Sequence, residues 1–411
     1  MNNENEAGWD KAYELKAVTL LALSFGLVGL DRFIILPLFP LISEDLGLNY
    51  QDLGLIAGVL ALTWGLAAVI TGSLSDRFGY RRVLVTTTIA FSVLVAASGL
   101  ATGLLTLLLL RGLMGFAEGG FLPASIVATL RAAKPSRSGL MVGLQQMSAP
   151  LVGLFLGPII AIGLLRVLPG WEWVFAMVAI PGFIVAFLLW RVIRDTVPGS
   201  PSNETPLNTS PKASFGTAIK NRNVIFCALA MLGFLSSLHT LSAFMPNYLT
   251  DHIGMSIDRM GFVLSSLGAG GVLGMILIPA LSDRAGRKRV MVIALIFAVL
   301  ALFALTRLSS GALAISACLF VVSASISGVV AITVGPFING SVPPTITATA
   351  TGIVSGAGEM VGGAFAPAIA GGIAQENGIA VIPYISLIAA VFAIIVVIFG
   401  LKEPAREVVP A

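Results

Sequence analysis

Gly72 to Val85 reads GSLSDRFGYRRVLV, and Pro279 to Val292 reads PALSDRAGRKRVMV. Eight of these fourteen positions are identical at an offset of 207, and at the same offset Gly47 meets Gly254 and Gly54 meets Gly261. Half of the 411 residues is close to that offset, so the chain reads as a tandem duplication. What the duplicated unit is made of follows from composition. Hydrophobic residues make up 57% of the chain and charged residues 11%, with a mean hydropathy of +0.97. Soluble domains carry roughly 25% charged residues, so most of the exterior must face lipid rather than water.

Only helices or closed barrels cross a bilayer, and the apolar runs are too long and continuous for barrel strands. Twelve runs are expected to span: 17–40, 53–75, 83–101, 104–130, 139–165 and 172–193, then 224–249, 257–281, 290–306, 312–338, 345–373 and 379–400. The fold class is therefore an all-α membrane protein of 12 transmembrane helices in two six-helix bundles. Six spans per copy leave both copies in one orientation, related by a pseudo-two-fold axis along the membrane normal. The expected organisation is a cytoplasmic tail at 1–16, a bundle at 17–193, a cytoplasmic linker at 194–219, a bundle at 220–401 and a tail at 402–411. Asp195 to Ser214 holds Pro198, Pro201, Pro206 and Pro211 among Ser, Asn and Thr, a composition that cannot bury enough apolar surface to order itself. The first sixteen residues carry four acids and two lysines, the wrong charge for a signal peptide.

With the N-terminus cytoplasmic, tails and cytoplasmic loops hold 19 of the 24 Lys and Arg residues, against Arg166, Arg259 and Arg307 on the other side. The positive-inside rule then sets the orientation, with both termini cytoplasmic and the chain in the cell (inner) membrane. The same distribution removes nucleic acid as a partner, because the basic surplus is spread along one leaflet. Two cysteines and two histidines argue against a disulfide scaffold, a metal site or a resident cofactor. A membrane-embedded enzyme would need a nucleophile–base pair or a metal-ligand cluster, which the sequence does not offer.

Mid-span charges carry the functional argument. Asp31, Arg32, Arg111, Glu118 and Glu359 fall inside apolar runs, where an ionised residue costs roughly 2.5–3.5 kcal/mol even on lenient insertion scales. Each needs a partner or a wet cavity. The rise per residue puts Asp31 between the depths of Arg111 and Glu118, which lie seven residues apart on one face of span 4. An Asp31–Arg111 pair would leave Arg32 and Glu118 to a cavity. The four charges sum to zero, so the site accepts an anion with its charge balanced by protons. His239 in span 7 corresponds to Arg32 at the offset of 207; it reads either as a cavity ligand or as a packing residue. Glu359, among Gly356, Gly358, Gly362 and Gly363, is open to three roles: substrate contact, a second proton site, or a hydrogen bond to a neighbouring helix. Gln145 is a polar candidate in span 5. Glycines four apart, such as Gly115/Gly119, Gly153/Gly157 and Gly270/Gly274, suit close helix approach.

The duplicated loops, with Asp76, Arg77, Gly79 and Arg81 in one copy and Asp283, Arg284, Gly286 and Lys288 in the other, resemble the signature loop of the major facilitator superfamily. That resemblance implies a gating role in latching the two halves. GLDRFIILPLFP (Gly29 to Pro40) and RGLMGFAEGGFLP (Arg111 to Pro123) resemble the span 1 Asp-Arg and the span 4 motif of the anion:cation symporter family, which includes sugar-acid/proton symporters and sialin-type carriers. Gly29-Leu30 stands where Asn-Tyr commonly precedes the Asp-Arg. Carried over, the resemblance implies proton-binding Asp31 and Glu118, Arg32 on the substrate carboxylate, and Arg111 as the partner of Asp31. The expected function is proton-coupled import of a small organic anion, a carboxylate with a sugar acid as one case, by a monomer whose partners are that anion, protons and lipid. A proton-driven efflux antiporter, suggested by Gly153-x-x-x-Gly157-Pro158, and an anion exchanger are the alternatives. The topology is checked directly: green fluorescent protein fused after Ala411 is expected to fluoresce and alkaline phosphatase fused there to be inactive, and an active phosphatase would invert the orientation.

Overall fold

A computed structural model describes residues 10–134, 137–194, 211–343 and 346–403, and for 68–78, 211–215 and 348 it describes the backbone alone. Among the described residues, twelve helices are long and apolar enough to cross a membrane. In the first half these are span 1 (Lys11–Leu46), span 2 (helix Tyr50–Phe78), span 3 (Tyr80–Ser98), span 4 (Leu104–Ala132), span 5 (Ser138–Leu165) and span 6 (Trp171–Val192). In the second half they are span 7 (Arg222–His252), span 8 (Ile257–Ala285), span 9 (Arg287–Leu305), span 10 (Ala312–Phe337), span 11 (Thr349–Asn377) and span 12 (Ile379–Gly400). Large apolar side chains such as Phe187, Ile388 and Phe399 are exposed, as lipid-facing residues are.

Span 1 starts six residues earlier than the apolar run suggests, because Asp10 caps it by accepting from the amides of Ala12 and Tyr13 at 3.0 and 3.1 Å. The Tyr13 amide foremost, then the Arg194 guanidinium and the Ala12 amide, hold the Asp10 carboxyl below its usual range. Glu14, also expected in a solvated tail, is buried. It accepts from Arg137 Nε and Nη2 at 3.0 and 2.5 Å and from the Lys134 amide at 3.1 Å, which ties the start of span 1 to the loop between spans 4 and 5. The expected linker ends in a helix, Pro211–Lys220, whose leading proline suits a first helical position; residues 195–210 lie outside those described.

The duplication is visible in backbone conformation. Gly47 and Gly254 have φ of 66° and 69°, and Gly79 and Gly286 have φ of 86° and 95°. Each pair is separated by the sequence offset, and each marks a reversal that only glycine makes without strain. Several spans are wound more widely than an α-helix: Pro150–Leu156 in span 5, Tyr248–His252 in span 7, Thr333–Phe337 in span 10 and Gly358–Phe365 in span 11 are π-helical.

The halves meet closely at the end away from the termini. Span 2 crosses span 11 where a methyl on Gly54 would overlap the Pro367 carbonyl and one on Gly58 would crowd that of Ala364. Span 5 crosses span 8 where a methyl on Gly268 would overlap the backbone at Leu154 and Phe155. Tyr50 Oη donates to Asp251 at 2.9 Å, the Tyr50 amide donates to Gln375 Oε1 at 3.2 Å, and Arg166 donates to Asp258 at 2.9 and 3.0 Å. Within each half most of the expected close glycine contacts are present: Gly115 and Gly119 meet span 2, Gly153 meets Gly29, and Gly270 and Gly274 meet span 10, whereas a methyl on Gly157 would make only ordinary contacts at 3.5 Å. Gly268→Ala is expected to force the two halves apart at this seam and cost about 1–3 kcal/mol. Thermal unfolding of the purified protein measures it, and an unchanged midpoint would mean the crossing is looser than the backbone geometry requires.

Candidate functional site

Pro37 has no amide hydrogen to give the carbonyl of Phe33, and span 1 breaks there, with Ile34 in a turn between the helices Lys11–Phe33 and Ile35–Leu46. The opened turn is where Arg111 enters from span 4. Its Nη1 donates to the main-chain oxygen of Asp31 at 3.0 Å and to that of Arg32 at 3.5 Å, and its guanidinium lies 6.0 Å from the centre of the Phe175 ring. The expected pair between Arg111 and the Asp31 carboxylate is thus corrected to a main-chain contact. Among the described residues no ion pair joins the two side chains. Asp31 is buried and its Oδ1 finds no hydrogen-bond partner; Glu118, two turns below Arg111, is 0% exposed with neither oxygen partnered.

Arg32, on the same turn, points the other way. Its Nη2 meets Glu359 Oε2 at 3.3 Å, and its guanidinium sits 5.6 Å from the ring centres of both Phe33 and Trp64. Glu359 opens the π-helical stretch of span 11, whose Gly358 and Gly362 press against Met231 and Leu235 of span 7. A methyl on Gly363 would lie 2.9 Å from Glu359 Oε2 and 3.0 Å from His239 Nδ1, so the two side chains converge on one point. Arg32, Arg111 and His239 line a cavity walled by Phe33, Ile35, Leu36, Leu53, Ile56 and Leu60, with Ser242 as a hydroxyl. Its volume is about 40 Å³, room for a few waters and too small for an organic acid.

Gln145 does not join this group. Its Oε1 accepts from Thr129 at 2.9 Å and its Nε2 donates to Ser125 at 2.7 Å, so its amide clasps spans 4 and 5 within the first half. Among the described side chains of the duplicated loops, two contacts stay local. Arg81 lies 5.8 Å from the Trp190 ring, and Lys288 Nζ donates to the carbonyls of Ile398 and Leu401 at 2.8 and 2.7 Å, each within its own half. Asp283 and Arg284 are exposed at the end of span 8, and the side chains of Asp76 and Arg77 lie outside the described residues. Gly29, where the symporter pattern has Asn, is the point at which span 1 crosses span 5; a side chain there would overlap the backbone of Ala149.

A family profile described as Major Facilitator Superfamily matches residues 21–358 and 240–411. The chain belongs to that superfamily. It is a family of membrane transporters rather than enzymes. The chain is 26% identical to a hexuronate transporter of Bacillus subtilis (strain 168), over 61% of this chain and 60% of that protein. It is 24% identical to a quinolone resistance transporter of Acinetobacter baumannii, over 59% and 60%. The chain spans about 60% of the length of these relatives. Among solved structures, a bacterial homolog to the human lysosomal transporter Spinster, in an inward-facing and unoccupied conformation, superposes with a TM-score of 0.81 at 19% identity, covering 97% of this chain and 99% of that one. That likeness shows the fold.

Sequence reading missed the rings that seat Arg32, the convergence at Gly363 and the main-chain acceptors of Arg111. The prolines at 37 and 40 were the available signal for the last. Because Arg111 is buried and fastens the broken turn, Arg111→Ala is expected to lower stability by about 3 kcal/mol or more. Arg32→Ala, at a site partly open to the cavity, should cost less than half as much. Thermal unfolding of the two variants side by side checks this, and equal losses would remove the distinction between a fastening and a cavity arginine.

Proposed function

We propose that the protein is a proton-coupled secondary transporter that imports a small organic anion, a carboxylate with an apolar body, by alternating access. The observation that carries this reading is the pair of buried carboxyls, Asp31 and Glu118, lacking hydrogen-bond partners beside two guanidiniums on the same two spans. An ionised carboxylate buried without a hydrogen bond from the protein is expensive, and taking up a proton is the cheapest way to neutralise it. Arg32 supplies the opposite requirement, a cation in a largely apolar cavity. A carboxylate can take that guanidinium bidentately, the strongest geometry such a pair has. A wall of Phe33, Ile35, Leu36, Leu53 and Ile56 leaves sugar hydroxyls few partners, which favours an aromatic or aliphatic acid over a sugar acid.

Two bundles rocking about the site give alternating access. The seam at Gly54, Gly58, Gly268, Tyr50 and Arg166 closes one end, and in the positive-inside orientation that end is the outer one. Protons taken up by Asp31 and Glu118 from outside balance the anion at Arg32, and their loss to the cytoplasm releases it. With more than one proton per monoanion, each net charge moved inward gains about 2.3 kcal/mol per 100 mV. The likeness to a quinolone resistance transporter favours efflux as the second reading; a cavity cation suits export of a cationic compound poorly.

In proteoliposomes with an imposed pH gradient, Asp31→Asn and Glu118→Gln are each expected to lose benzoate accumulation while keeping exchange of internal for external benzoate. Wild-type accumulation by either variant would refute its coupling role. Arg32→Ala should weaken anion binding by about 10-fold or more, the worth of a charge-assisted hydrogen bond. Gradient-driven extrusion of a cation without anion uptake would support the efflux reading instead.

A further inference from the structure

We propose that Glu359 is a tethered competitor for the substrate: in the empty carrier its carboxylate occupies Arg32, and an incoming organic anion takes its place while Glu359 takes up a proton. This rests on the reading above that Arg32 anchors the anion, and it adds how the anchor is kept when nothing is bound.

The contact has the features of a placeholder. It is a single one, Arg32 Nη2 to Glu359 Oε2 at 3.3 Å. Charge-assisted pairs close to about 2.7–2.9 Å, and arginine takes carboxylates bidentately when geometry allows. The rest of the Arg32 guanidinium is held by the Phe33 and Trp64 rings rather than saturated by acceptors, so a mobile carboxylate can approach it more squarely than Glu359 does. Charge balances at each stage. Before binding, Arg32 and Glu359 cancel; afterwards Arg32 and the substrate carboxylate cancel, and Glu359 is neutral once it has accepted one proton from solvent.

The groups that face Glu359 set where that proton sits. Span 1 presents Arg32, span 7 presents His239, and span 2 presents Ala61 beside Gly363 and Trp64 over Arg32, neither of them titratable. Arg111 lines the same cavity, with Asp31 and Glu118 behind it on spans 1 and 4. Because Gly363 has no side chain, Glu359 and His239 both reach the space over it, from spans 11 and 7. The pair also joins the two bundles, span 1 to span 11. An empty carrier can therefore reorient without burying an unpaired guanidinium at its seam.

The test is benzoate binding to the purified full-length protein, with glucuronate in parallel, by calorimetry in buffers of different ionisation enthalpy. Glu359→Gln is expected to bind about 10-fold more tightly, having lost its competitor, and to take up roughly one proton fewer per anion than wild type. In proteoliposomes it should keep exchange and lose most net uptake. Equal proton uptake in wild type and variant overturns the proposal and leaves proton coupling through Asp31 and Glu118 standing. Absence of proton uptake in the wild type overturns the coupled-transport reading itself. Weaker binding in Glu359→Gln, with exchange and net uptake falling together, makes Glu359 a direct substrate ligand and overturns the competition. Should the Gln variant fail to fold, Glu359→Asp keeps the charge one methylene short of Arg32; it is expected to bind benzoate more tightly and still take up the proton, and unchanged affinity overturns the proposal.

Discussion

A guanidinium or carboxylate that leaves water must find its compensation inside the protein, and around the centre of this molecule that requirement organises nearly everything else. Arg111 finds main-chain oxygens that a proline break has released in span 1. Arg32 finds two aromatic faces and a carboxylate from the other bundle. Asp31 Oδ1 and both Glu118 oxygens find no hydrogen-bond partner, and neither do Nε and Nη2 of Arg111. A purely structural charge cluster would be fully paired, because a half-satisfied network is worse than an apolar core.

The scaffold that holds these charges is built on small residues. Where spans cross within a half, and again where the halves meet, a glycine lets backbones approach to distances that a methyl would forbid. In lipid there is little hydrophobic force to press helices together, so close van der Waals contact carries the association. Gly29 illustrates the competition between scaffold and site. The symporter pattern has a polar side chain at that place, but here it would run into the backbone of Ala149 where span 1 crosses span 5.

Much of this was legible in the sequence. Apolar run length gave twelve spans, the repeated SDR-x-G segments gave two copies, and Asp31, Arg32, Arg111 and Glu118 stood out because charge inside an apolar run needs a reason. Other features were not legible, for physical reasons. The start of span 1 is held by a buried Glu14 whose partners are 120 or more residues away. The Arg32–Glu359 pair is formed across 327 residues, between spans of different halves. Gln145 looked available because local hydrogen bonding to Ser125 and Thr129 cannot be read from spacing alone. The signature loops resembled latches between halves; in the conformation described, Arg81 and Lys288 touch their own halves.

The widened winding of span 11 sets the phase of the helix that follows it. An α-helix turns about 100° per residue, and a π-helical circuit absorbs one residue more than an α-helical one. Everything beyond Phe365 is thereby rotated relative to where uninterrupted winding would put it. Ala364 and Pro367 face span 2 at the seam while Glu359 still faces Arg32 only because that extra residue is taken up between them. Removing one residue from this stretch would swing the outer third of the helix by about a quarter-turn or more, uncoupling the outer closure from the charge at the centre.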